Sequence, residues 1–213
     1  MRFRTAILTL ATLLFAGSAC AQDFSRVDGY VEYSYLRFNP GVSQLHSRSF
    51  NGGGGGIDIN LTQHFAIKAE FMGYGSTSFT TTFTVPVVTP HGTIPPRTYS
   101  AQGNMFTYMF GPVVKTPMSH FTPFGEILFG GSNTNGYVNL SNSIIANGGT
   151  IAAAPTQHPY TMAVGGGLDI NLTNHVALRP IEIDYVLTRY SNPITNVNNQ
   201  NNFRYLAGLV FKF

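Results

Sequence analysis

The residue types best suited to chemistry in this sequence are acidic and basic side chains separated by single apolar residues. Lys68 and Glu70, for example, stand on either side of Ala69. Alternate residues of a β-strand face opposite sides of a sheet, so charges at this spacing share one face. The charges that fit such a face are Asp28, Glu32, Asp58, Lys68, Glu70, Glu126, Asp169, Arg179, Glu182, Asp184, Arg204 and Lys212. Facing one another, they could line a narrow polar channel or gate, or fill an interior with ion pairs.

Other candidate groups indicate less chemistry. The histidines are too far apart in the sequence to predict a metal site, and a structural or solvated role is expected for each: His46, His64, His91, His120, His158 and His175. The glycine runs at residues 52–56 and 165–167 are not followed by the Lys-Ser or Lys-Thr of a phosphate-binding loop. We therefore predict no catalytic, cofactor-binding or metal-binding residue, and no cofactor.

The charges belong to segments that alternate with a period of two, as β-strands do. In residues 203–213, apolar side chains from Phe203 to Phe213 share one face, and Arg204 and Lys212 lie on the other. A strand that is apolar outside and charged inside is typical of a transmembrane β-barrel. Eight strands are predicted, each long enough to cross a bilayer at a tilt: residues 27–38, 53–61, 65–74, 104–114, 121–131, 160–172, 175–189 and 203–213. The predicted fold is an all-β, eight-stranded antiparallel transmembrane barrel.

The connections between these strands alternate in length. Short ones are predicted at residues 61–64, 115–120 and 172–174, and long, polar ones at residues 39–52, 75–103, 132–159 and 191–202. Short periplasmic turns alternating with long external loops are the pattern of an outer-membrane barrel. Some alternation continues in residues 78–85 and 137–145, which predicts that these two hairpins extend beyond the membrane.

One hairpin sequence occurs twice, at residues 54–64 and 165–175, and we expect the two copies on opposite sides of the barrel. The return strand of the second copy has one extra residue beside Pro180. Proline cannot donate to a strand ladder, so a β-bulge is predicted there. With this bulge, Arg179, Glu182 and Asp184 all point inward.

Each copy of the repeat also predicts an inward ion pair near the periplasmic rim. A tight turn after residue 60 would place Asp58 opposite Ala66 and diagonal to Lys68. The second copy would place Asp169 opposite Ala177 and diagonal to Arg179. Diagonal neighbours on one face are about 7–8 Å apart at Cα, within reach of a long basic side chain.

The N-terminus predicts export. Arg2 and Arg4 precede an apolar stretch at residues 6–16 that is too short to span a bilayer as a helix. Residues 19–21 fit a small-x-small cleavage pattern, so we predict a signal peptide at residues 1–21 and a barrel domain at residues 22–213. The alternative is a lipoprotein signal acylated at Cys20, which Gly17 disfavours because a lipobox normally has Leu there. The formal net charge of +3 comes from scattered residues and predicts no nucleic-acid partner.

The chain resembles the OmpA/OmpX-type outer-membrane barrels of the broad porin-like group. The resemblance rests on the terminal strand at residues 205–213, on residues 122–126 and on the pair Asp184-Tyr185. It implies a location in the outer membrane of a Gram-negative bacterium, among outer-membrane lipid and lipopolysaccharide. It also implies recognition by the outer-membrane assembly machinery through the strand that ends in Phe213.

Function is less constrained than fold. An eight-stranded barrel is only just wide enough for its own side chains. We therefore expect a side-chain-filled barrel with a structural or surface-interaction role through its external loops, whose ligands the sequence does not identify. The alternative is a small pore for ions or solutes. A lipid-modifying enzyme is less favoured because the His-x-Ser pair of one such family is lacking, so we expect no enzyme. A lipocalin-like carrier would place Lys68, Glu70 and Arg179 on the wrong face.

Overall fold

The computed structural model describes residues 24–39, 47–89, 92–151, 153, 157–190 and 199–213. The predicted signal peptide and its cleavage site lie outside the described residues. The strands are β1 (Val27–Phe38), β2 (Arg48–Asn60), β3 (Phe65–Thr82), β4 (Val87–Thr89), β5 (Gly92–Ile94), β6 (Thr98–Lys115), β7 (Phe121–Thr134), β8 (Tyr160–Asn171), β9 (Val176–Thr188) and β10 (Gln200–Lys212). One helix, α1 (Gly136–Ala146), is described between β7 and β8.

Eight of the strands close into an antiparallel barrel, in the order β1-β10-β9-β8-β7-β6-β3-β2. The first and last strands pair from Asp28 with Lys212 to Arg37 with Phe203. Because the barrel is closed, each strand has a hydrogen-bonded neighbour on both sides. Backbone N–H and C=O groups that lie in hydrocarbon must be paired within the protein, and closure meets this requirement. The predicted eight-stranded antiparallel barrel is confirmed.

The two faces of the barrel wall differ as the alternation predicts. The outward side chains form an apolar belt that includes Val31, Tyr33, Ile57, Phe71, Phe110, Ile127, Phe129, Ile183, Tyr185, Phe203, Leu209 and Phe211, each exposed by more than a third. The inward side chains include charged groups that are almost fully buried. A wall that is apolar outside and charged inside is stable only with lipid around it.

Two strands continue beyond the barrel as an external ribbon, which we define as residues 77–82 of β3 and 98–103 of β6. They pair from Thr77 with Gly103 to Thr82 with Thr98, after a register shift next to Tyr74. A short β4–β5 hairpin follows at the far end. The predicted extension of the hairpin at residues 78–85 is confirmed, and the predicted strand limits at residues 74 and 104 were too short.

The second predicted extension, at residues 137–145, was wrong. These residues lie in α1, which buries Tyr137, Leu140, Ser141 and Ile144. This spacing of three and four residues is the period of a helix. Leu140 and Ile144 pack against Phe83, Ile94 and Tyr99 of the external ribbon and its tip, together with Ala101 and Ile151. Alternating apolar residues over so short a segment fit both periods, and packing decides between them.

The two copies of the repeated hairpin form β2–β3 and β8–β9, which lie on opposite sides of the barrel as predicted. The predicted bulge is also confirmed. The pairing steps from Leu168–Ile181 to Ile170–Leu178 on one side of β9, which leaves one extra residue on β9. The pairing with β10 shifts at the same place. Arg179, Glu182 and Asp184 are all fully buried inside the barrel.

Candidate functional site

The barrel interior is filled by ion pairs, beginning with a layer at the periplasmic end. Lys115 Nζ lies 2.9 Å from Asp28 and 2.8 Å from Asp58. The same ammonium donates to the side-chain oxygen of Asn60 at 3.0 Å, and the Asn60 amide donates to Asp28 at 2.9 Å. Two carboxylates from different strands therefore share one cation.

The central layer contains two cations, and both are fully buried. Arg179 donates to Asp169 at 2.6 and 3.1 Å, to Glu32 at 3.0 Å and to Glu182 at 2.8 Å. Lys68 Nζ lies 2.6 Å from Glu126 and 3.3 Å from Glu182. Because Glu182 contacts both cations, the two halves of the layer are joined into one network.

Two aromatic rings complete the central layer. The Tyr30 ring lies 5.0 Å from Lys68 Nζ and 5.2 Å from the Arg179 guanidinium carbon. The Phe124 ring lies 5.2 and 4.3 Å from the same groups. Distances of this size allow cation–π attraction. The two rings thus cover the sides of Lys68 and Arg179 that no carboxylate contacts.

Glycines of the repeated hairpin make room for these rings. A Cβ on Gly56 would lie 2.8 Å from Tyr30 Cζ, and a Cβ on Gly167 would lie 2.8 Å from Phe124 Cζ. Both contacts are closer than van der Waals packing allows. The two glycines occupy equivalent positions in the repeat, so the repeat places one ring on each side of the interior.

The external layer centres on Arg204, which is also buried. Its guanidinium donates to both oxygens of Glu70, one of them at 3.3 Å, and to Asp184 at 2.8 Å. Above it, Ser34 and the Tyr74 hydroxyl lie 2.9 Å apart. The three layers together pair eight buried carboxylates with four buried cations among the described residues.

Aromatic residues close the barrel above the ion pairs. Tyr137 of α1 and Tyr190 pack together with ring centroids 5.7 Å apart, in a cluster with Tyr74, Leu36 and Phe50. The Tyr190 hydroxyl donates to Ser132 at 2.8 Å. Burial raises the pKa of both Tyr137 and Tyr190. These uncharged rings cover the external end of the lumen.

The residues predicted to face inward are largely confirmed. All eight predicted acids are buried, as are Lys68, Arg179 and Arg204. Lys212 is only half-buried and donates to Asn171 at 2.6 Å. Lys115 was predicted to lie in a turn, but its side chain is buried in the lumen. Its place in the alternation of Met109, Gly111 and Val113 in β6 is the signal that could have found it.

The two predicted ion pairs have different outcomes. Asp169 and Arg179 are paired, but Asn171, not Asp169, lies opposite Ala177. Asp58 lies directly opposite Lys68, not opposite Ala66, and its carboxylate pairs with Lys115 instead. The predicted Asp58–Lys68 pair was therefore wrong, because Lys68 extends across the lumen to Glu126 and Glu182. Exchanging the charges of Asp58 and Lys68 would therefore not rebuild an ion pair between them.

Some of the carboxylates converge within 4.8 Å of one another, as Glu32, Glu70 and Glu182 do, and as Glu126, Glu182 and Asp184 do. Each of them already contacts a lysine or an arginine. The geometry is accounted for by ion pairing, and we assign these clusters no metal.

The external side of the protein has the opposite charge character. The external connections at residues 39–52, 75–103, 132–159 and 191–202 contain no aspartate or glutamate. Arg37 and Arg189 are exposed near the upper ends of β1 and β9, Arg97 is exposed beyond the ribbon, and Arg48 is partly exposed. The external surface is therefore cationic, while the eight aspartates and glutamates among the described residues lie in the lumen.

The external ribbon has one edge covered by α1. The Asn135 side chain accepts from the backbone N–H of Asn104 at 3.0 Å, and the Asn139 amide donates to the Gln102 carbonyl at 2.7 Å. These bonds satisfy backbone groups that β7 no longer reaches.

Among the described residues, no helix is long and apolar enough to cross a membrane.

The closed barrel, its apolar belt and its charged interior define the class by fold: this chain has the fold of the small outer-membrane β-barrels of the OmpA/OmpX type. The neisserial surface protein NspA has a similar structure, with a TM-score of 0.56 and 11% identity over 90% of this chain and 100% of that chain. OprG from Pseudomonas aeruginosa is similar with a TM-score of 0.55 and 13% identity, over 89% of this chain and 97% of that chain. Ail, the attachment invasion locus protein of Yersinia pestis, is similar with a TM-score of 0.51 and 11% identity, over 89% of this chain and 99% of that chain.

Identities this low show a shared fold and no more. No protein-family model matches the sequence, and no curated protein matches it.

Proposed function

We propose that this protein is a closed outer-membrane barrel that acts through its external surface, as an anchor for elements that contact other molecules at the cell surface. The observation that carries the proposal is the filled interior. Three layers of ion pairs and an aromatic cover occupy the lumen from Asp28 at one end to Tyr137 at the other. A lumen occupied in this way by buried side chains leaves the external ribbon, α1 and the long loops as the parts available for function.

The partners we propose follow from the two surfaces. The apolar belt contacts outer-membrane lipid. Arg37 and Arg189 are exposed on the outward face, two residues beyond Tyr35 and Leu187 at the external ends of β1 and β9, and arginine pairs well with phosphate. Lipopolysaccharide is thus the proposed lipid partner. The alternating strand β10 and the Phe213 that follows it are the proposed signal for the assembly machinery.

A conductance measurement tests the closed lumen. Full-length protein refolded into a planar bilayer should show no discrete channel openings at moderate voltage. Arg179→Ala should conduct, because it removes the cation at the centre of the network and leaves space beside Phe124. Lys212→Ala is the matched control, since Lys212 is only half-buried at the rim. Stable openings in the unmodified protein would contradict the proposal.

A cation-conducting pore is the second candidate, and one observation favours it. Eight carboxylates face four buried cations and the half-buried Lys212, so the interior has an excess of negative charge. If the unmodified protein conducts, this excess predicts selectivity for cations over anions. Reversal potentials measured in a salt gradient would show it.

We also propose that the protein is not an enzyme. The charged groups of the three lumen layers are engaged in ion pairs, and the polar side chains of the external ribbon are hydroxyls and an amide. Mass spectrometry of lipid A from a strain that lacks the gene should show an unchanged pattern of acyl chains and phosphates. A lost or gained lipid A species would contradict this part of the proposal.

A further inference from the structure

A polar groove lies between the outer face of the external ribbon and α1. It has a volume of about 460 Å³ and is lined by Ser78, Thr80, Ser100, Ala101, Gln102, Asn139 and Asn142. Ser78 is the cross-strand partner of Gln102, and Thr80 is the partner of Ser100. One wall is therefore a patch of hydroxyl and amide groups on a sheet, and the helix provides the other wall.

The chemistry of the lining selects one class of ligand. Serine and threonine hydroxyls donate and accept hydrogen bonds, and asparagine and glutamine amides offer a donor and an acceptor together. The lining contains no charged side chain, so an ionic ligand would lose its solvation without a counter-charge. An apolar ligand would leave the lining groups unpaired. A neutral saccharide, whose hydroxyls both donate and accept, matches the groove.

The groove has polar groups available for a ligand. The side chains of Ser78, Gln102 and Asn142 have no hydrogen-bond partner among the described residues, and all three are exposed. Thr80 and Ser100 share one weak contact at 3.3 Å. The neighbouring edge of β6 is already bonded to Asn135 and Asn139, so a peptide cannot add there as a further strand.

The position of the groove relative to the membrane fits the same ligand. Phe106 is the last lipid-facing aromatic residue of β6, and Gln102 and Ser100 continue the same face. At about 3.3 Å per residue, they lie about 13 and 20 Å farther along the strand. A strand tilted by about 45° places them about 9–14 Å higher, just above the lipid headgroups. Sugars attached to an outer-leaflet lipid lie at this level.

We propose that this groove binds a short neutral saccharide, supplied either by the sugar chain of an outer-leaflet glycolipid or by a free glycan. A volume of several hundred cubic ångströms is ordinary for such a site. The inference rests on the proposed surface role and names one class of partner for it.

The test is a titration of the refolded full-length chain in a detergent without a sugar headgroup, such as lauryldimethylamine oxide. Maltotriose and lactose are the probes, and amide chemical shifts of Ser100 and Gln102 are the readout. We expect saturable shifts at millimolar concentration. The double variant Gln102→Ala/Asn142→Ala should bind about fivefold or more weakly, as expected for two lost hydrogen bonds. The matched control Thr82→Ala/Thr98→Ala alters a hydroxyl pair on the same face, outside the groove, and should bind as the unmodified protein does.

Absence of saturable shifts up to about 50 mM of both sugars, or equal affinity in the groove variant, would overturn the inference. Shifts of the same residues with a neutral extended peptide, and none with sugars, would overturn it too. Two kinds of vesicle separate the two sources of the saccharide. One contains a glycolipid with its complete sugar chain, and the other contains the same lipid trimmed to its phosphorylated base. Tighter binding to the complete lipid than to free sugar identifies the glycolipid, and equal binding identifies free glycan. A conductance measurement on the same preparation separates this inference from the proposed function. A barrel that does not conduct and does not bind sugars would contradict the saccharide groove but not the closed lumen.

Discussion

At the scale of residues, each buried cation of the lumen holds more than one carboxylate. Lys115, Lys68, Arg179 and Arg204 each contact acids on at least two other strands or turns of the wall. Removing a cation therefore leaves several charges without a partner. Burial makes such a loss more costly than the loss of a surface ion pair.

Lys115→Met tests this at the residue that the sequence analysis missed. The substitution leaves Asp28 and Asp58 facing each other without their cation, and it should lower the free energy of unfolding by about 3–5 kcal/mol. Urea unfolding of the protein refolded in lipid vesicles measures the change. Adding Asp58→Asn should recover part of it. Lys212→Met is the control, and equal loss in the two lysine variants would show that the layer is not held by Lys115.

Gly56→Val tests the space beneath the Tyr30 ring. A Cβ at this position would meet both the Ala69 carbonyl oxygen of β3 and the Tyr30 ring. The side chain therefore shifts the β2–β3 pairing as well as displacing Tyr30 from Lys68 and Arg179, and overpacking of this kind costs about 1–3 kcal/mol. Gly73→Ala is the control, because a Cβ on Gly73 would meet only the Gly53 carbonyl, at 3.9 Å. The urea midpoint should fall for the first variant and not for the second. Equal midpoints would mean that the ring does not depend on the glycine.

At the scale of elements, the alternation of residue types predicted the strands and their faces but not their pairing. The register of two paired strands depends on which residues form the turn between them. In the turn between β2 and β3, the backbone N–H groups of Leu61 and Thr62 both donate to the Phe65 carbonyl. This pairing sets Asp58 against Lys68, two residues from the predicted match. The partners of Lys68 come from β7 and β9, on other parts of the wall. A single sequence holds no local signal for contacts across a barrel.

Asn139→Ala tests the covered edge of the external ribbon. The change removes the donor to the Gln102 carbonyl and should loosen α1 from β6 by about 1 kcal/mol, the usual net value of one hydrogen bond. Hydrogen exchange at residues 100–104 should quicken severalfold, and the urea midpoint of the barrel should stay the same. Asn147→Ala, at the far end of α1, is the control. Unchanged exchange at residues 100–104 would show that the edge does not need Asn139.

Deletion of Phe213 tests the end of β10. Where the barrel closes, Phe213 exchanges backbone hydrogen bonds with Val27, and its carbonyl also accepts from the backbone N–H of Arg26. Loss of this residue should reduce the amount of protein in the outer membrane without reducing export to the periplasm. Immunoblots of the separated fractions measure both, with Lys212→Ala as a control that keeps the terminal ring. Equal outer-membrane levels of the deleted and full-length proteins would contradict the assembly signal.

At the scale of the whole molecule, charge is sorted by location. The acids of the described barrel lie inside, and exposed arginines lie near the external end. Asp23, the remaining acid of the sequence, lies outside the described residues and ahead of β1. The external surface thus stays cationic at every physiological pH, since arginine does not lose its proton there.

The predicted signal peptide is also a property of the whole chain. We expect the mature protein to begin at Gln22 and to carry no lipid, because Gly17 makes a poor lipobox. The intact mass of protein purified from membranes decides this. A mass that includes a diacylglyceryl group on Cys20 would favour the lipoprotein alternative instead.

The cross-lumen ion pairs have a consequence for the order of assembly. Lys68 on β3 needs acids from β7 and β9, and Glu70 on β3 needs Arg204 from the last strand. A half-formed sheet would bring these groups into hydrocarbon with their charges unmatched, at a cost of several kcal/mol for each. Strand-by-strand entry into the bilayer is thereby disfavoured. The wall must close before or while it crosses the membrane, so insertion should proceed as one concerted kinetic step.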